Sequence, residues 1–563
     1  MNKKQNKRNS IIGFVLLLVV IVLANVLSSF VFTRVDLTSE KRFTLSQATK
    51  DELASLQDIV YFKVYLSGDL PPGFQRLSTA TRDMLNEMRQ YAKGNLEYEF
   101  IDPSALEDEK QRTDLYKQLS ERGLQPTNLQ ENETDRTSQR ILFPGAIINY
   151  RAQEQALQLL KDRIGSSPEE MLNNSIQGLE YEVINAIRKV TTLEPKKIGF
   201  LRGQNELDKY RVADIVQTLN ASYKVTGVTI NQKLDALKDF DCVVIAKPDS
   251  AFDEKDKFII DQYIMNGGKV LWLVDYMIAD MDSLAKQNQF VSVANQLNVE
   301  DMLFRYGVRI NTNLVLDLQS APVPMLTGYV GNKPQTSFLP WFYFPLVIPT
   351  SKHPIVNNLN GIRFQFASSM DTLSNKEIAK TVLLQSSEYS RTVGSPAVID
   401  LEQMKKKAET KQFNKGNQPL AVLLEGKFLS NYANRVPAAI ANDSAIAFKE
   451  TGVDNRMIVI ADGDVIKNDY RKSNESIFPL GYDRYTGQFY GNKSFILNCI
   501  DYLCEGPRLM TLRQKEFRLR LLDKQRLEGN TLNIKIFNVI VPVILILVYA
   551  ILRIYQRKRK YAA

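Results

Sequence analysis

A chain of 563 residues, 44% hydrophobic and 24% charged, exceeds what one core usually serves, so two or three domains are expected. Its formal charge of +9 resembles a nucleic-acid signal until it is located: Lys3, Lys4, Lys7 and Arg8 precede one apolar stretch, Arg553, Arg557, Lys558, Arg559 and Lys560 follow another, and residues 9–552 are neutral. This distribution excludes nucleic acid as an expected partner and describes two membrane flanks. Cys242, Cys499 and Cys504 lack C-x-x-C spacing and form no disulfide framework, and a lone histidine, His353, argues against a histidine-based metal site.

The first apolar stretch, Ile11–Phe32, contains no charge. At about 1.5 Å per residue it is long enough to cross a hydrocarbon core of about 30 Å. A signal peptide is the competing reading, but its apolar region runs only about 7–15 residues, and no Ala-x-Ala site follows here. The second stretch, Ile536–Leu552, is near the lower limit for a span; a buried core helix is its alternative, disfavoured by the basic tail that follows. Basic flanks are retained in the cytoplasm, so both termini are expected inside and residues from about 33 to 530 outside. Lys515, Arg518, Arg520, Lys524, Arg526 and Lys535 leave the local charge balance at the second span undecided, so the orientation rests on the first helix and on parity.

Thr44 or Ser46 is expected to cap a helix over residues 47–55. A strand at 59–66, a helix from Pro71-Pro72 to about Tyr91, a strand at 96–101, a helix around 108–121 and a hairpin at 146–160 follow. This order, with Pro144 just before the third strand, resembles a thioredoxin-like fold, but Ser67-Gly68-Asp69-Leu70-Pro71 holds no cysteine where redox chemistry would require one. Residues 131–139 read as a polar loop. Ser167-Pro168-Glu169-Glu170 is a helix start with cap, N1 proline and capping-box glutamate, leading a helix with Leu172, Ile176, Leu179, Val183, Ile187 and Val190 on one face.

From Lys197 short apolar strands alternate with amphipathic helices: strands at 198–201, 223–228, 241–246 and 269–274, helices at 210–219 and from Asp253 to Met265. The alternation predicts a parallel, doubly wound sheet of Rossmann or glutamine-amidotransferase type. Later strands are expected at 381–385, 420–424 and 457–461, and a last helix at 494–504. Residues 291–306 read as a helix ended by Gly307, and 321–354 and 404–418 as long loops or insertions. Residues 512–527 are basic and amphipathic, fitting either a helix on the membrane surface or the solvated stem of the second span.

The expected organisation is therefore an α/β chain in six parts. Residues 1–34 are a basic flank and transmembrane helix, 35–165 a thioredoxin-like domain, 166–195 a connecting helix, 196–507 the doubly wound domain, 508–533 a basic stem, and 534–563 a second transmembrane helix with a cytoplasmic tail. In open α/β sheets, sites form at the carboxyl ends of strands. Those ends carry Arg202-Gly203-Gln204-Asn205-Glu206, Lys247-Pro248-Asp249 and Asp275-Tyr276, with no nucleophile elbow, no G-x-G-x-x-G after the first strand and no Walker A sequence. Arg202, Gln204, Glu206 and Asp275 are the candidate ligand or interface positions, with Glu206 and Asp275 facing each other across the sheet top. No catalytic residue, metal site or cofactor is expected.

Motifs spread over nearly the whole chain then carry a resemblance. Asp36-Leu37-Thr38 with Lys41-Arg42-Phe43-Thr44-Leu45, Glu180-Tyr181-Glu182, Asn266-Gly267-Gly268-Lys269-Val270-Leu271-Trp272, Tyr306-Gly307-Val308 and Arg518-Leu519-Arg520-Leu521-Leu522-Asp523-Lys524 stand in order between the two apolar ends. In this the chain resembles the GldG family, gliding-motility-associated auxiliary components of ABC transporters. The resemblance implies a permease and an ATPase as partners, the bacterial inner membrane as location with the large part in the periplasm, and a role in gliding motility or secretion. A membrane-bound α/β enzyme of hydrolase or amidotransferase-like type, and a solute receptor for the transporter, are the alternatives; the absent nucleophiles disfavour the former.

Overall fold

The computed structural model describes residues 12–23, 44–133, 136–160, 167–192, 194–330, 333–357, 359–405, 409–437, 446–506 and 524–561. They fall into two compact units, Met1–Lys515 and Glu516–Ala563.

In the first unit helix α1, Gln47–Ala54, is capped by Ser46, whose Oγ accepts from the Thr49 amide at 3.1 Å. Strands β1 (Val60–Val64) and β2 (Leu96–Phe100) pair in parallel around helix α2 (Pro72–Tyr91), because a parallel pair needs a crossover. Helix α3 (Glu109–Glu121) is capped by Asp108. Strands β3 (Gly145–Tyr150) and β4 (Gln153–Gln158) form the expected hairpin, and β3 lies antiparallel to β1, giving the order β2-β1-β3-β4. Helix α4 (Pro168–Thr191) starts on a complete capping box and buries Leu172, Leu179, Val183, Ile187 and Val190. Its Glu180 is buried too, and accepts from the Ser46 amide at 2.7 Å and the Thr49 hydroxyl at 2.8 Å, tying α1 to α4.

The same apolar cluster continues without a break into a seven-stranded sheet. Its strands are β5 (Lys197–Leu201), β6 (Lys224–Val228), β7 (Cys242–Ala246), β8 (Lys269–Leu273), β9 (Ile378–Gln385), β10 (Pro419–Leu429) and β11 (Thr451–Ile460), in the order β9-β10-β11-β8-β7-β5-β6. Alternate residues serve two faces: Cys242, Val244 and Leu271 meet the core shared with α5 (Ala213–Asn220), while Val243, Ile245 and Trp272 meet helices α6 (Glu254–Met265) and α7 (Glu300–Tyr306). Helix α8 (Asn492–Glu505) closes the first face with Phe495, Ile496 and Cys499.

The expectation of a parallel sheet is corrected at one edge. β6, β5, β7, β8 and β11 are parallel, but β10 runs antiparallel to β11 and β9 antiparallel to β10. An antiparallel edge on an otherwise parallel sheet is common among doubly wound folds.

Three further readings are corrected. Residues 291–306 are not one helix: Gln289–Ser292 is a strand paired with Ala397–Asp400, and only α7 is helical, ending at Gly307 with φ +109°. Residues 321–354 are largely a long antiparallel ribbon, Ser320–Val330 with Lys333–Val347, in which Pro322 faces Pro340. Ser320–Val330 is an edge strand, and Lys333–Val347 pairs on its other side only at Leu346 and Val347, with Arg363 and Ile362, so proline is tolerated along the ribbon as it is not in a sheet centre. The supposed loop at 131–139 also falls largely in a ribbon, Thr127–Glu133 with Arg136–Leu142. The stretch 404–418 holds only short 3-10 turns among its described residues.

The second unit is helix α9, Lys524–Tyr561, 38 residues or about 57 Å long. Within it Ile536–Gln556, with mean hydropathy 2.5, is long and apolar enough to cross a membrane, the one such helix among the described residues. Of the expected first span, Ile12–Leu23 is an exposed apolar helix; the remainder lies outside the described residues. Residues 512–523 of the basic segment lie outside them as well, and Lys524–Leu527 belongs to α9.

Candidate functional site

Strand order reverses between β5 and β7: from β5 the chain moves outward to β6, from β7 inward to β8. At such a switch point the diverging loops of an open α/β sheet leave a crevice for a ligand. Here the loop after β5 lies across the end of β7. The Leu207 amide donates to the Ala246 carbonyl at 3.1 Å, and the amides of Asp249 and Ser250 donate to the Gln204 carbonyl at 2.9 and 3.1 Å.

The predicted site residues in this loop turn inward. Glu206 Oε2 accepts from the Gly203 and Gln204 amides at 3.0 Å each, and Gly203 makes the turn at φ +139°. The Arg202 guanidinium donates to the Leu207 carbonyl. Gln204 is buried, with Nε2 3.3 Å from Asp256 Oδ2. Asp275 is engaged elsewhere, so Arg202, Gln204 and Glu206 share one loop, and no hydrogen bond or ion pair joins Glu206 to Asp275 across the sheet.

Asp275 belongs to a charged cluster at the carboxyl ends of β7, β8 and β11. Lys247 follows β7 in the left-handed region, φ +55°, and its Nζ lies 2.8 Å from Asp275 Oδ2 and 2.5 Å from Asp464 Oδ2. Lys467 reaches the other oxygen of Asp464 at 2.7 Å. Asp275 Oδ1 accepts from the Gly463 amide. Gly463 has to be glycine, since a Cβ there would stand 2.4 Å from the Cβ of Lys247. Asp462, fully buried, accepts from the Gln365 amide at 2.6 Å and the Asp464 amide at 2.7 Å.

Burial opposes every charge in this group, and the neighbours decide the outcome. For Asp464 burial works upward, but Lys247 and Lys467 overcome it and hold the carboxyl below its ordinary range. For Lys247 burial works downward, and Asp275 and Asp464 outweigh it, keeping the ammonium protonated. Asp275 is raised by burial despite Lys247. Asp462 is raised well above the usual carboxylate value, by burial and then by Asp275 and Asp464, which together outweigh its backbone donors. Each lysine is thus committed to a carboxylate, and Lys247 is neither a free base nor a nucleophile.

The thiols lie elsewhere. Cys242 opens β7 at the amino end of the sheet, and all three cysteines are free and buried. Burial, with Cys242 alongside, pushes Cys499 up; the Cys242 contact and then burial push Cys504 up. Such thiols are inert. Replacing all three with alanine is expected to lower stability by about 1–3 kcal/mol and to leave the yield of co-purifying partners unchanged. Loss of partner binding at normal abundance would restore a functional role for a thiol. His353 accepts from the Ile355 amide at 3.3 Å and is pushed down to about 4 by burial, so it is neutral near pH 7.

The sequence placed Lys247 and Asp275 at strand ends but made only Asp275 a candidate, and missed Asp462 and Asp464. The usable signal was Asp462-Gly463-Asp464 directly after the apolar run at 457–461, together with Lys247 directly after β7.

Residues 195–499, just over half the chain, match the family described as an ABC-type uncharacterized transport system, and the chain belongs to that family of ABC transport auxiliary proteins. Its part is accordingly an accessory one in ABC transport. Residues 39–149 match a domain family of unknown function. An uncharacterized protein of Borreliella burgdorferi is 21% identical over 569 residues, covering 99% of each chain. Among solved structures, the mmIFT52 N-terminal domain is similar at 12% identity over 55% of this chain and 97% of that one, with a TM-score of 0.30.

Proposed function

We propose that the chain is a non-catalytic, doubly membrane-anchored subunit of an ABC transporter complex of the GldG type, serving gliding motility or secretion beside a permease and an ATPase. The observation that carries this reading is the state of the strand ends in a member of an ABC auxiliary family. The switch-point crevice is crossed by the chain's own loop, and Lys247 is tied up by Asp275 and Asp464 where an enzyme of this architecture would hold a nucleophile. The order β2-β1-β3-β4, with β1 and β2 parallel, supports a thioredoxin-like first domain over 35–165, without redox cysteines. Five parallel strands with helices on both faces support a doubly wound second domain over 196–507. Purification of the intact protein from its native membrane is expected to bring down one permease and one ATPase polypeptide in fixed ratio. Recovery of the protein without either overturns the proposal.

The apolar, exposed stretch Ile536–Gln556 and the helical Ile12–Leu23 support anchoring at both ends in the inner membrane. With both basic flanks cytoplasmic, protease added outside spheroplasts is expected to digest residues from about 33 to 530 and to spare tags at both termini. Protection of that large region sinks the periplasmic assignment.

A further inference from the structure

The segment after Lys467 builds a surface that the sealed strand ends do not use. Tyr470 and Arg471 pair with Ile477 and Ser476 in a short antiparallel ribbon, and the chain then passes through Phe478–Tyr490 to α8. Its rings form two groups. Tyr210, from the loop after β5, stacks on Tyr470 with centroids 4.8 Å apart, Phe478 stacks on Tyr482 at 6.1 Å, and Tyr482 meets Phe489 at 4.8 Å. The guanidinium of Arg471 lies over Phe478 and that of Arg484 over Tyr485.

Single exposed apolar residues need no explanation, but Ile477, Tyr485 and Phe489, 45%, 53% and 48% exposed, sit on one short excursion among these stacked rings. The tip is also fixed from beneath. Buried Asp483 accepts from the Tyr485 amide at 2.9 Å and pairs with Arg363 at 3.7 Å. Rings already held by neighbours lose little freedom on binding, and aromatic residues with arginine are the side chains enriched at the centres of protein interfaces. The exposed charges on this excursion are Arg471, Lys472 and Arg484 against Glu475, a local excess of cations at the surface, with Asp469 half-buried and Asp483 buried beneath it.

We propose that this aromatic and arginine face, on the carboxyl-end side of the seven-stranded sheet, docks an acidic polypeptide segment of a partner protein. The stacked rings take its apolar side chains, and Arg471 and Arg484, each already oriented over a ring, meet its carboxylates. The inference goes beyond the accessory role and does not depend on which substrate the transporter moves.

The test is photo-crosslinking in the full-length protein in its native membrane, with p-benzoylphenylalanine at position 485 or 489. Tyr389, 61% exposed on another loop, is the control position. Positions 485 and 489, and not 389, are expected to give one discrete adduct, whose linked peptide belongs to a different polypeptide and carries more Asp and Glu than Lys and Arg. Arg471→Glu with Arg484→Glu is expected to reduce the adduct by ~10-fold at matched abundance, because like charges placed together oppose docking. If that pair of changes lowers abundance, Arg484→Ala alone, at the exposed tip, gives the same reading. No adduct, an adduct to lipid, glycan or a second copy of this chain, a basic linked peptide, or a yield indifferent to charge reversal overturns the proposal.

Discussion

Replacement of Lys247 by methionine is expected to lower unfolding stability by about 3–5 kcal/mol, the penalty for leaving buried carboxylates uncompensated. Among the described residues Lys247 is the one cation in ion-pair contact with Asp275, and one of two on Asp464. Methionine fills much of the volume but provides no charge, so Asp275 loses its cation or takes up a proton, and Asp464 keeps Lys467 alone. The check is chemical unfolding of the detergent-solubilised protein, followed by a probe in the seven-stranded sheet. Lys247→Met combined with Asp275→Asn is expected to recover part of the loss, because the two changes act on one pair and are not additive. A loss below about 1 kcal/mol for the single change would mean that the cluster is solvated and that the strand ends are open.

Asp261→Ala is expected to be of similar size, about 3–5 kcal/mol, for a different reason. Asp261 on α6 is fully buried and accepts four hydrogen bonds: from the Tyr306 hydroxyl and the Asn431 amide at 2.8 Å each, from the Ser430 hydroxyl at 2.6 Å and from Gln262 Nε2 at 3.0 Å. Burial, and then Asp261 itself, raise Tyr306 well above the ordinary phenol value, so it stays a donor. Alanine strands these donors together at the point where the connection from β10 to β11 leaves the sheet. Limited proteolysis should therefore cut near residue 430 faster in the variant, while Asp261→Asn, which keeps the shape, should lose less. Equal cleavage rates in wild type and alanine variant would show that the connection is held by other contacts.

What was legible in the chain was whatever short-range chemistry encodes. The capping box at Ser167 and Glu170, the Asp253 cap and the Gly307 stop each act within a few residues, and α4, α6 and the end of α7 appear where those signals put them. Parallel strands buried on both faces read as apolar runs, so β7 and β8 were also plain. The ribbons were not. Gln289–Ser292 finds its partner about a hundred residues later, and prolines at 322, 324 and 340 disguise strands whose outward amides have no neighbour to satisfy. The site was half legible for the same reason. Asp275 is visible as a strand-end carboxylate, but its meaning depends on Lys247 and on Asp464, which lies 217 residues from that lysine. Arg202, Gln204 and Glu206 have the composition of a ligand loop, and only the backbone bonds to Ala246, Asp249 and Ser250 reveal that the loop folds over its own sheet.

That folded-over loop has a thermodynamic consequence. A protein with an open cleft is stabilised by whatever small molecule fills it, in proportion to the logarithm of that molecule's concentration. Where Leu207, Asp249 and Ser250 already hydrogen-bond across the switch point, the native state carries its own occupant at fixed and effectively saturating concentration. Small solutes then have no handle on the folding equilibrium at this point, and the conformation of these strand ends does not depend on their supply. Any reserve of stability left to be gained by assembly lies on the outer faces of the molecule.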